Sequence, residues 1–156
     1  MEHERKKNRL DLSLYKKHRG FFLTIGTQNR TTIFLDNKIV EHFVEILKNI
    51  SEKESWLIHA YCFMPNHVHL LIESMQENQN VIKFISKFKQ LTGFWYKQNF
   101  GKQLWQKSFY DHVLRKEEDI KNVAKYTLEN PQKDMLVTNW RDYPFLGSFV
   151  YNVDEL

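Results

Sequence analysis

The hydrophobic and polar positions of the chain follow two different periods, and the order of these periods predicts an α+β fold. Four short segments have the composition of β-strands, whereas three longer ones repeat their apolar residues every three or four positions, as amphipathic helices do. Strands are predicted at residues 20–27, 56–64, 68–73 and 109–115. Helices are predicted at residues 36–53, 80–100 and 117–129.

Turn and capping residues mark the ends of these elements. Asp36 is a suitable N-cap for the first helix, and residues 29–33 are interpreted as a turn. Pro65-Asn66 is a turn signal between the second and third strands, so these two strands should form a hairpin. Three acids at 117–119 suit the positive N-terminal end of the third helix, and Pro131 is expected to end it.

The order strand, helix, strand, strand, helix, strand, helix is that of the ferredoxin-like split βαβ arrangement with one added helix. We therefore predict a four-stranded antiparallel sheet with two helices on one face, plus a C-terminal helix that contains Tyr126. With 156 residues the chain is expected to form a single domain. It is divided into a basic N-terminal arm (1–17), a core (18–136) and an irregular, aromatic tail (137–156).

Composition narrows the class of protein. Hydrophobic residues make up 42% of the chain and aromatic residues 15%, which indicates a folded protein rather than a disordered one. No apolar run approaches the roughly 20 residues of a membrane-spanning helix, and the N-terminus has no apolar signal core. Cys62 is the only cysteine, which argues against a disulfide framework. We expect a cytoplasmic protein without a membrane partner.

Positive charge is concentrated in one part of the chain. The net charge is +4, but no Asp or Glu occurs from residue 78 to 110, where six lysines alternate with aromatic residues. Lysines neutralise phosphates and exposed aromatic rings can stack on unpaired bases, so this stretch is a candidate nucleic-acid surface. The alternative is that its aromatic residues are core and its lysines a solvated face. The basic residues selected as DNA-binding candidates are Lys83, Lys87, Lys89, Arg19 and Arg115.

His67 and His69 are the strongest candidates for chemistry. They lie at the start of the third predicted strand, separated by Val68, so both side chains should point to the same face of the sheet. Two neighbouring neutral imidazoles can share a divalent metal ion. The alternative is one surface histidine and one hydrogen-bonded histidine with no ligand between them.

Four segments together resemble the single-tyrosine HUH transposases, especially the REP-associated tyrosine transposases. HUH stands for His-hydrophobic-His, which here is the triplet at residues 67–69. The resemblance extends over roughly residues 18 to 150 and implies the ferredoxin-like fold predicted above. The matching segments are MPNHVHLL (64–71), WQKSFYDHVLR (105–115), YTLENP (126–131) and DYP (142–144).

The resemblance implies an activity and a set of residues. The family cuts single-stranded DNA by transesterification, in which a tyrosine forms a covalent 5′-phosphotyrosine and leaves a free 3′-OH. Tyr126 matches the nucleophile, and Asn130, four residues later, matches the amide that completes a metal site with His67 and His69. The implied ion is Mg²⁺ or Mn²⁺, which would polarise the phosphoryl oxygens. His112 is expected to support the site.

Several alternatives stay open from the sequence. Tyr110 is a rival nucleophile, although no amide follows it one turn later. A DNA-binding regulator without catalysis would keep the fold but not need the histidines or Tyr126. A histidine-triad nucleotide hydrolase would need a histidine where Leu71 stands, and a zinc hydrolase would need a third strong ligand. The expected partner is single-stranded DNA with hairpin or repeat ends, bound by a homodimer with Tyr126 supplied in trans or by a monomer.

Overall fold

The computed structural model describes residues 20–115 and 118–156, in which five strands and four α-helices are found. The predicted basic arm and Arg19 lie outside the described residues. The strands are β1 (Gly20–Gly26), β2 (Trp56–Met64), β3 (His67–Ser74), β4 (Tyr110–Val113) and β5 (Leu146–Gly147). The helices are α1 (Asn37–Glu54), α2 (Val81–Phe100), α3 (Ile120–Leu128) and α4 (Asn130–Lys133).

The strands form one antiparallel sheet in the order β4-β1-β3-β2-β5, which has one strand more than predicted. The additional strand comes from the tail, where Gly147 pairs with Tyr61 and Leu146 with Cys62. A Cβ at Gly147 would collide with the Tyr61 ring, so only glycine allows this approach. A two-residue strand is too short to produce a hydrophobic period, which is why the sequence did not predict it.

The two faces of the sheet are covered by different helices. α1 and α2 cover one face, where Leu23 of β1 and Leu70 of β3 are completely buried. α3 packs on the opposite face through Ala124 and Leu128, against Leu71 of β3. Because side chains alternate along a strand, His67 and His69 lie on the same face as Leu71, the face that carries α3. The strand period thus directs both histidines towards the helix that contains Tyr126.

The helix ends follow the capping residues, with one correction. Asp36 caps α1 by accepting from the Lys38 amide, as predicted. The prediction that the third helix starts at residue 117 is wrong, because Asp119 accepts from the Lys121 amide and is itself the N-cap. The predicted helix end is confirmed, since α3 stops at Leu128, and Pro131 lies beyond it in the first turn of α4, where its missing N–H needs no partner.

The tail folds back on the body of the protein. The His59 imidazole is held between the Tyr151 hydroxyl, 3.0 Å from Nδ1, and Oε1 of Glu73, 3.0 Å from Nε2. Tyr151 and Val153 pack on the α3 side of the sheet. In the part of the chain that the structure describes, no helix is both long and apolar enough to cross a membrane.

Candidate active site

The imidazoles of His67 and His69 face each other across one strand period on β3. Their Nε2 atoms lie 3.1 Å apart. Two nitrogens that bind one ion at about 2.1 Å and at right angles to each other would lie about 3.0 Å apart, so the spacing fits two adjacent ligands of one ion. It also fits a hydrogen bond from one ring to the other. The two rings can therefore hold either a proton or a metal ion between their Nε2 atoms with little movement.

The other nitrogen of each ring is held by a polar side chain. His67 Nδ1 lies 2.7 Å from Oδ1 of Asn66, and His69 Nδ1 lies 3.0 Å from Oγ1 of Thr24. An amide oxygen can only accept, so His67 donates through Nδ1 and keeps a lone pair on Nε2. Such partners fix the tautomer and the ring orientation of metal-binding histidines.

The surroundings keep both imidazoles neutral. Burial, with a smaller contribution from the neighbouring His67, lowers the pKa of His69 to about 3. Burial also lowers the pKa of His67, the charge of Arg30 adds to this effect, and the charge of Asp134 opposes it. A neutral imidazole has the lone pair that a metal ion requires, so the pair is ready to bind an ion at neutral pH.

His67 and His69 together would give a metal ion only two protein ligands. Within residues 20–115 and 118–156, no group of three or more His, Cys, Asp or Glu side chains is arranged to hold a metal ion. A third protein ligand would therefore be an amide, a hydroxyl or a backbone carbonyl. Hard cations such as Mg²⁺ and Mn²⁺ accept such oxygen ligands and commonly keep several waters.

Asn130 supplies a suitable amide on the α3 side of the sheet. Its Nδ2 donates to the Thr127 carbonyl at 2.7 Å, so Oδ1 is the atom that could bind an ion. The Asp134 amide donates to the Asn130 carbonyl at 3.0 Å, so these two residues share one helical turn. The Asp134 charge acts on His67, so this turn is within electrostatic reach of the histidine pair.

Tyr126 is presented to solvent by α3. Its side chain is 62% exposed, whereas Ala124 and Leu128 on the other side of the helix are completely buried. The Lys133 ammonium group lies 2.9 Å from the centre of the Tyr126 ring. An exposed phenol of this kind is accessible to a phosphodiester.

Tyr126 borders an open groove between α3 and the edge of the sheet, which we call the tyrosine groove. It has a volume of about 740 Å³, within the roughly 300–1,000 Å³ of small-ligand sites. The strand side of the groove consists of Phe22, Tyr110 and His112. The helix side consists of Glu118, Asp119, Asn122, Val123 and Tyr126.

One residue of the groove, Phe22, also contacts the histidine pair. The Phe22 ring stacks on His69 with a centroid distance of 5.4 Å and an interplanar angle of 23°. The predicted supporting residue, His112, lies farther along the groove and donates through Nε2 to Oε1 of Glu118 at 3.2 Å. The Arg115 amide donates to the same oxygen at 2.9 Å. These bonds join the end of β4 to the start of α3.

The lysine candidates lie elsewhere. Lys83, Lys87 and Lys89 are on α2, which covers the opposite face of the sheet from the groove. Lys83 is exposed, whereas Lys87 forms an ion pair of 3.0 Å with Glu54. The Lys89 ammonium group donates to the carbonyls of Gln106 and Lys107 at 2.7 and 3.3 Å. The structure therefore separates these lysines from Tyr126 and the histidines, although Arg115 remains near the groove.

Sequence reasoning missed a basic residue whose charge acts on His67. Arg30 lies in a short 3-10 turn, and both it and Asn29 have left-handed backbone angles, with φ of 52° and 54°. Thr27 fixes this turn to the hairpin turn between β2 and β3, because its amide and its hydroxyl both donate to the Asn66 carbonyl at 3.0 Å. Thr24 and Lys133 were also missed. Their positions depend on strand register and helix packing, for which the sequence gives no signal.

Comparisons with known proteins agree with the geometry. The family described as "Transposase IS200 like" matches residues 20–130. A Haemophilus influenzae protein with the provisional name REP-associated tyrosine transposase is 29% identical over 136 residues, covering 80% of this chain and 77% of the relative. The REP-associated tyrosine transposase of Escherichia coli is 25% identical over 131 residues, covering 84% of this chain and 77% of the relative.

A solved structure shares the fold. It is described as a REP-associated tyrosine transposase bound to a REP hairpin and matches with a TM-score of 0.67 and 22% identity. The match covers 83% of this chain and 76% of the solved one. At this level of identity the likeness concerns the arrangement of the strands and helices.

Proposed function

Because the chain belongs to the family of IS200-like transposases, we propose that it cuts and rejoins single-stranded DNA by transesterification through Tyr126. In the cutting step the Tyr126 oxygen forms a bond to phosphorus and the bond between phosphorus and the 3′ oxygen breaks. The 3′ oxygen leaves as a hydroxyl, and the phenolic proton passes to solvent. In the joining step a 3′-OH attacks the phosphotyrosine and Tyr126 recovers its proton, so the number of phosphodiester bonds is conserved.

One observation carries this proposal: the exposed Tyr126 borders a groove that shares one lining residue, Phe22, with the surroundings of the histidine pair. Phe22 lines the groove beside Tyr126 and also stacks on His69. A phosphodiester bound near the histidines could therefore be reached by a side chain on the facing helix. A nucleophile must approach its target to within about 3–3.5 Å in line with the leaving group, and an exposed residue on α3 has the freedom to do so.

His67, His69 and Asn130 are the residues that would hold a divalent ion, Mg²⁺ or Mn²⁺. When bound, such an ion supplies positive charge that stabilises the developing charge on the phosphoryl oxygens. The residues of the chain contribute two neutral imidazoles, fixed by Thr24 and Asn66, and one amide oxygen. Few protein ligands leave room for water and phosphate in the same site.

The proposed substrate is single-stranded DNA that carries a hairpin. The solved structure with the same fold is described with a REP hairpin bound, and two relatives carry the name REP-associated tyrosine transposase. Arg115 lies at the end of β4 near the groove, and Lys83 and Lys87 lie on α2. In the proposal Arg115 contacts DNA close to the cut, and the lysines of α2 contact phosphates farther away.

A covalent-adduct experiment tests the proposal. The full chain is mixed with single-stranded DNA from the flanks of its own gene and Mn²⁺ or Mg²⁺, and SDS-resistant protein–DNA species are counted. We expect an adduct that needs the metal and is absent in Tyr126→Phe, while Tyr126→Phe binds the same DNA within a few-fold of the unmodified protein.

Tyr110→Phe is the matched control, because it removes the hydroxyl of the other exposed tyrosine in the groove. It should still form the adduct. An adduct that persists in Tyr126→Phe but disappears in Tyr110→Phe would assign the nucleophile to Tyr110. DNA binding with no adduct under any metal condition would contradict the transesterification proposal and favour a regulator that binds DNA without cutting it.

A further inference from the structure

The strand side of the tyrosine groove contains an aromatic residue that the proposed chemistry does not use. Tyr110 is 50% exposed although it lies within β4. Its neighbour in the register, Thr24, is also the register partner of His69, so Tyr110, Thr24 and His69 form one row across β4, β1 and β3. With strands about 4.8 Å apart, the backbone of Tyr110 lies about 9.5 Å from that of His69.

The opposite side of the groove carries hydrogen-bonding groups rather than positive charge. Glu118, Asp119 and Asn122 line it, so the groove does not attract a phosphate. The hydrogen bonds that Glu118 accepts from Arg115 and His112 both use Oε1, and Asp119 accepts from Lys121 through Oδ1. A carboxylate has two oxygens with about four acceptor positions, so each can accept further hydrogen bonds.

An aromatic face opposite hydrogen-bond acceptors matches an unpaired nucleobase. Bases stack on aromatic side chains, and carboxylates accept hydrogen bonds from exocyclic amino groups such as N4 of cytosine. A phosphate at the histidine pair would place the adjoining base within reach of Tyr110, because Tyr110 lies only two strands from His69 in the same row, and Phe22 both lines the groove and stacks on His69.

We propose that the tyrosine groove is a base-binding subsite, which holds the nucleobase next to the cleaved phosphate. Tyr110 is the stacking platform, and Glu118 with Asn122 selects bases that carry an exocyclic amino group over thymine. The proposal rests on the cleavage function proposed above, because that function places the phosphate at the histidines. Its consequence is that the protein reads part of its cleavage sequence directly, by contact with one unpaired base.

A binding experiment in chelator tests the groove without requiring cleavage. Short single-stranded oligonucleotides carry the fluorescent base 2-aminopurine at successive positions, and fluorescence is measured on titration with the full chain. We expect one position to be strongly quenched by stacking. Quenching should disappear in Tyr110→Ala and persist in Tyr110→Phe, which keeps the ring.

Phe94→Ala is the matched control for loss of an exposed aromatic ring. Phe94 is 64% exposed and lies on α2, on the other face of the sheet from the groove. The Phe94→Ala variant should leave the quenching of 2-aminopurine unchanged. Equal loss in Tyr110→Ala and Phe94→Ala, or quenching that is independent of Tyr110, would overturn the proposal.

A second measurement uses the cleavage site found by the adduct experiment. Tyr110→Ala should weaken binding of the normal site by about fivefold to about a hundredfold, the range for one base–aromatic stack. It should have little further effect when the adjoining base is replaced by an abasic residue, since the variant and the abasic site remove the same contact. If the losses of binding free energy from Tyr110→Ala and from the abasic residue add together, Tyr110 does not stack on that base.

The base preference is tested at the same position. Cytosine or adenine should bind better than thymine, and Glu118→Gln should reduce this difference, whereas equal binding of the three bases would overturn the role of Glu118. The outcomes separate the two proposals. Adduct formation without any Tyr110-dependent stacking would leave the cleavage function standing and remove the subsite. Tyr110-dependent stacking without an adduct would remove the cleavage function and leave a groove that binds a base in a protein that does not cut DNA.

Discussion

Thr24 on β1 holds His69 on β3 through a hydrogen bond of 3.0 Å between its hydroxyl oxygen and Nδ1. The bond orients the ring so that Nε2 faces Nε2 of His67. We predict that Thr24→Val, which keeps the shape but removes the hydroxyl, weakens Mn²⁺ binding about 10- to 100-fold, the usual effect of losing such a partner. Binding is measured by the loss of the free Mn²⁺ electron paramagnetic resonance signal, which requires no DNA.

Thr24→Ser is the control for this prediction. It keeps the hydroxyl and should bind Mn²⁺ within a few-fold of the unmodified protein. His69→Ala should abolish binding at the same concentrations. Equal Mn²⁺ affinity in Thr24→Val and the unmodified protein would show that the hydroxyl does not support a ligand, and unchanged affinity in His69→Ala would remove the histidine pair from the metal site.

Arg30 is the basic side chain whose charge acts directly on His67. We predict that it contacts the DNA phosphates next to the histidine pair. Arg30→Gln should therefore weaken single-stranded DNA binding and reduce the slope of log affinity against log salt by about 0.7, the value for one phosphate contact on a single strand. Fluorescence anisotropy titrations at several salt concentrations give this slope.

The backbone at Arg30 allows a sharper comparison. Its φ of 52° costs a residue with a side chain about 1–2 kcal/mol, so Arg30→Gly should make the protein more stable in urea while it weakens DNA binding as Arg30→Gln does. Opposite changes in stability and binding cannot come from general unfolding. Arg30→Lys keeps the charge and should retain most of the binding. Unchanged binding in Arg30→Gln would contradict the phosphate contact.

Different parts of the site were predictable to different extents. Strand periodicity places His67 and His69 on one face without any knowledge of the fold, and the structure agrees. The amphipathic pattern of α3 defines a buried stripe, but it does not say which face of the sheet that stripe covers. The position of Arg30 depends on hydrogen bonds from Thr27 to Asn66, which is 39 residues away in the sequence. Contacts between residues so far apart in the chain produce no local pattern in the sequence.

The lysines of α2 provide a third prediction, because the structure assigns them different roles. Lys83 is exposed, so Lys83→Gln should leave stability unchanged and weaken DNA binding if DNA crosses α2. Lys89 donates to two carbonyls of the segment that leads into β4, so Lys89→Ala should lower the free energy of unfolding by about 1.5–3 kcal/mol. Urea denaturation and anisotropy on the same samples distinguish the two effects. A normal stability of Lys89→Ala together with weaker DNA binding would instead make Lys89 a phosphate contact.

The last prediction concerns the turn that follows Asn130. α4 ends in a Schellman motif, in which the Leu136 amide donates to the Pro131 carbonyl at 2.9 Å and the Met135 amide to the Gln132 carbonyl at 3.1 Å. The motif requires a left-handed residue, and Met135 has a φ of 58° with a side chain that is 89% exposed. Glycine is the usual residue there because it has no Cβ penalty.

Met135→Gly should therefore stabilise the protein by about 0.5–1 kcal/mol, the left-handed penalty less the extra backbone entropy of glycine. Urea denaturation should show a higher midpoint with an unchanged slope. Gly101→Ala is the reciprocal control, since Gly101 caps α2 with a φ of 70° and a Cβ there would meet nothing within 4 Å. It should destabilise by about 1 kcal/mol through backbone strain alone. A different result, in which Gly101→Ala destabilises but Met135→Gly does not stabilise, would mean that a contact of the Met135 side chain offsets the left-handed backbone penalty. That contact would then help to hold the turn that carries Asn130.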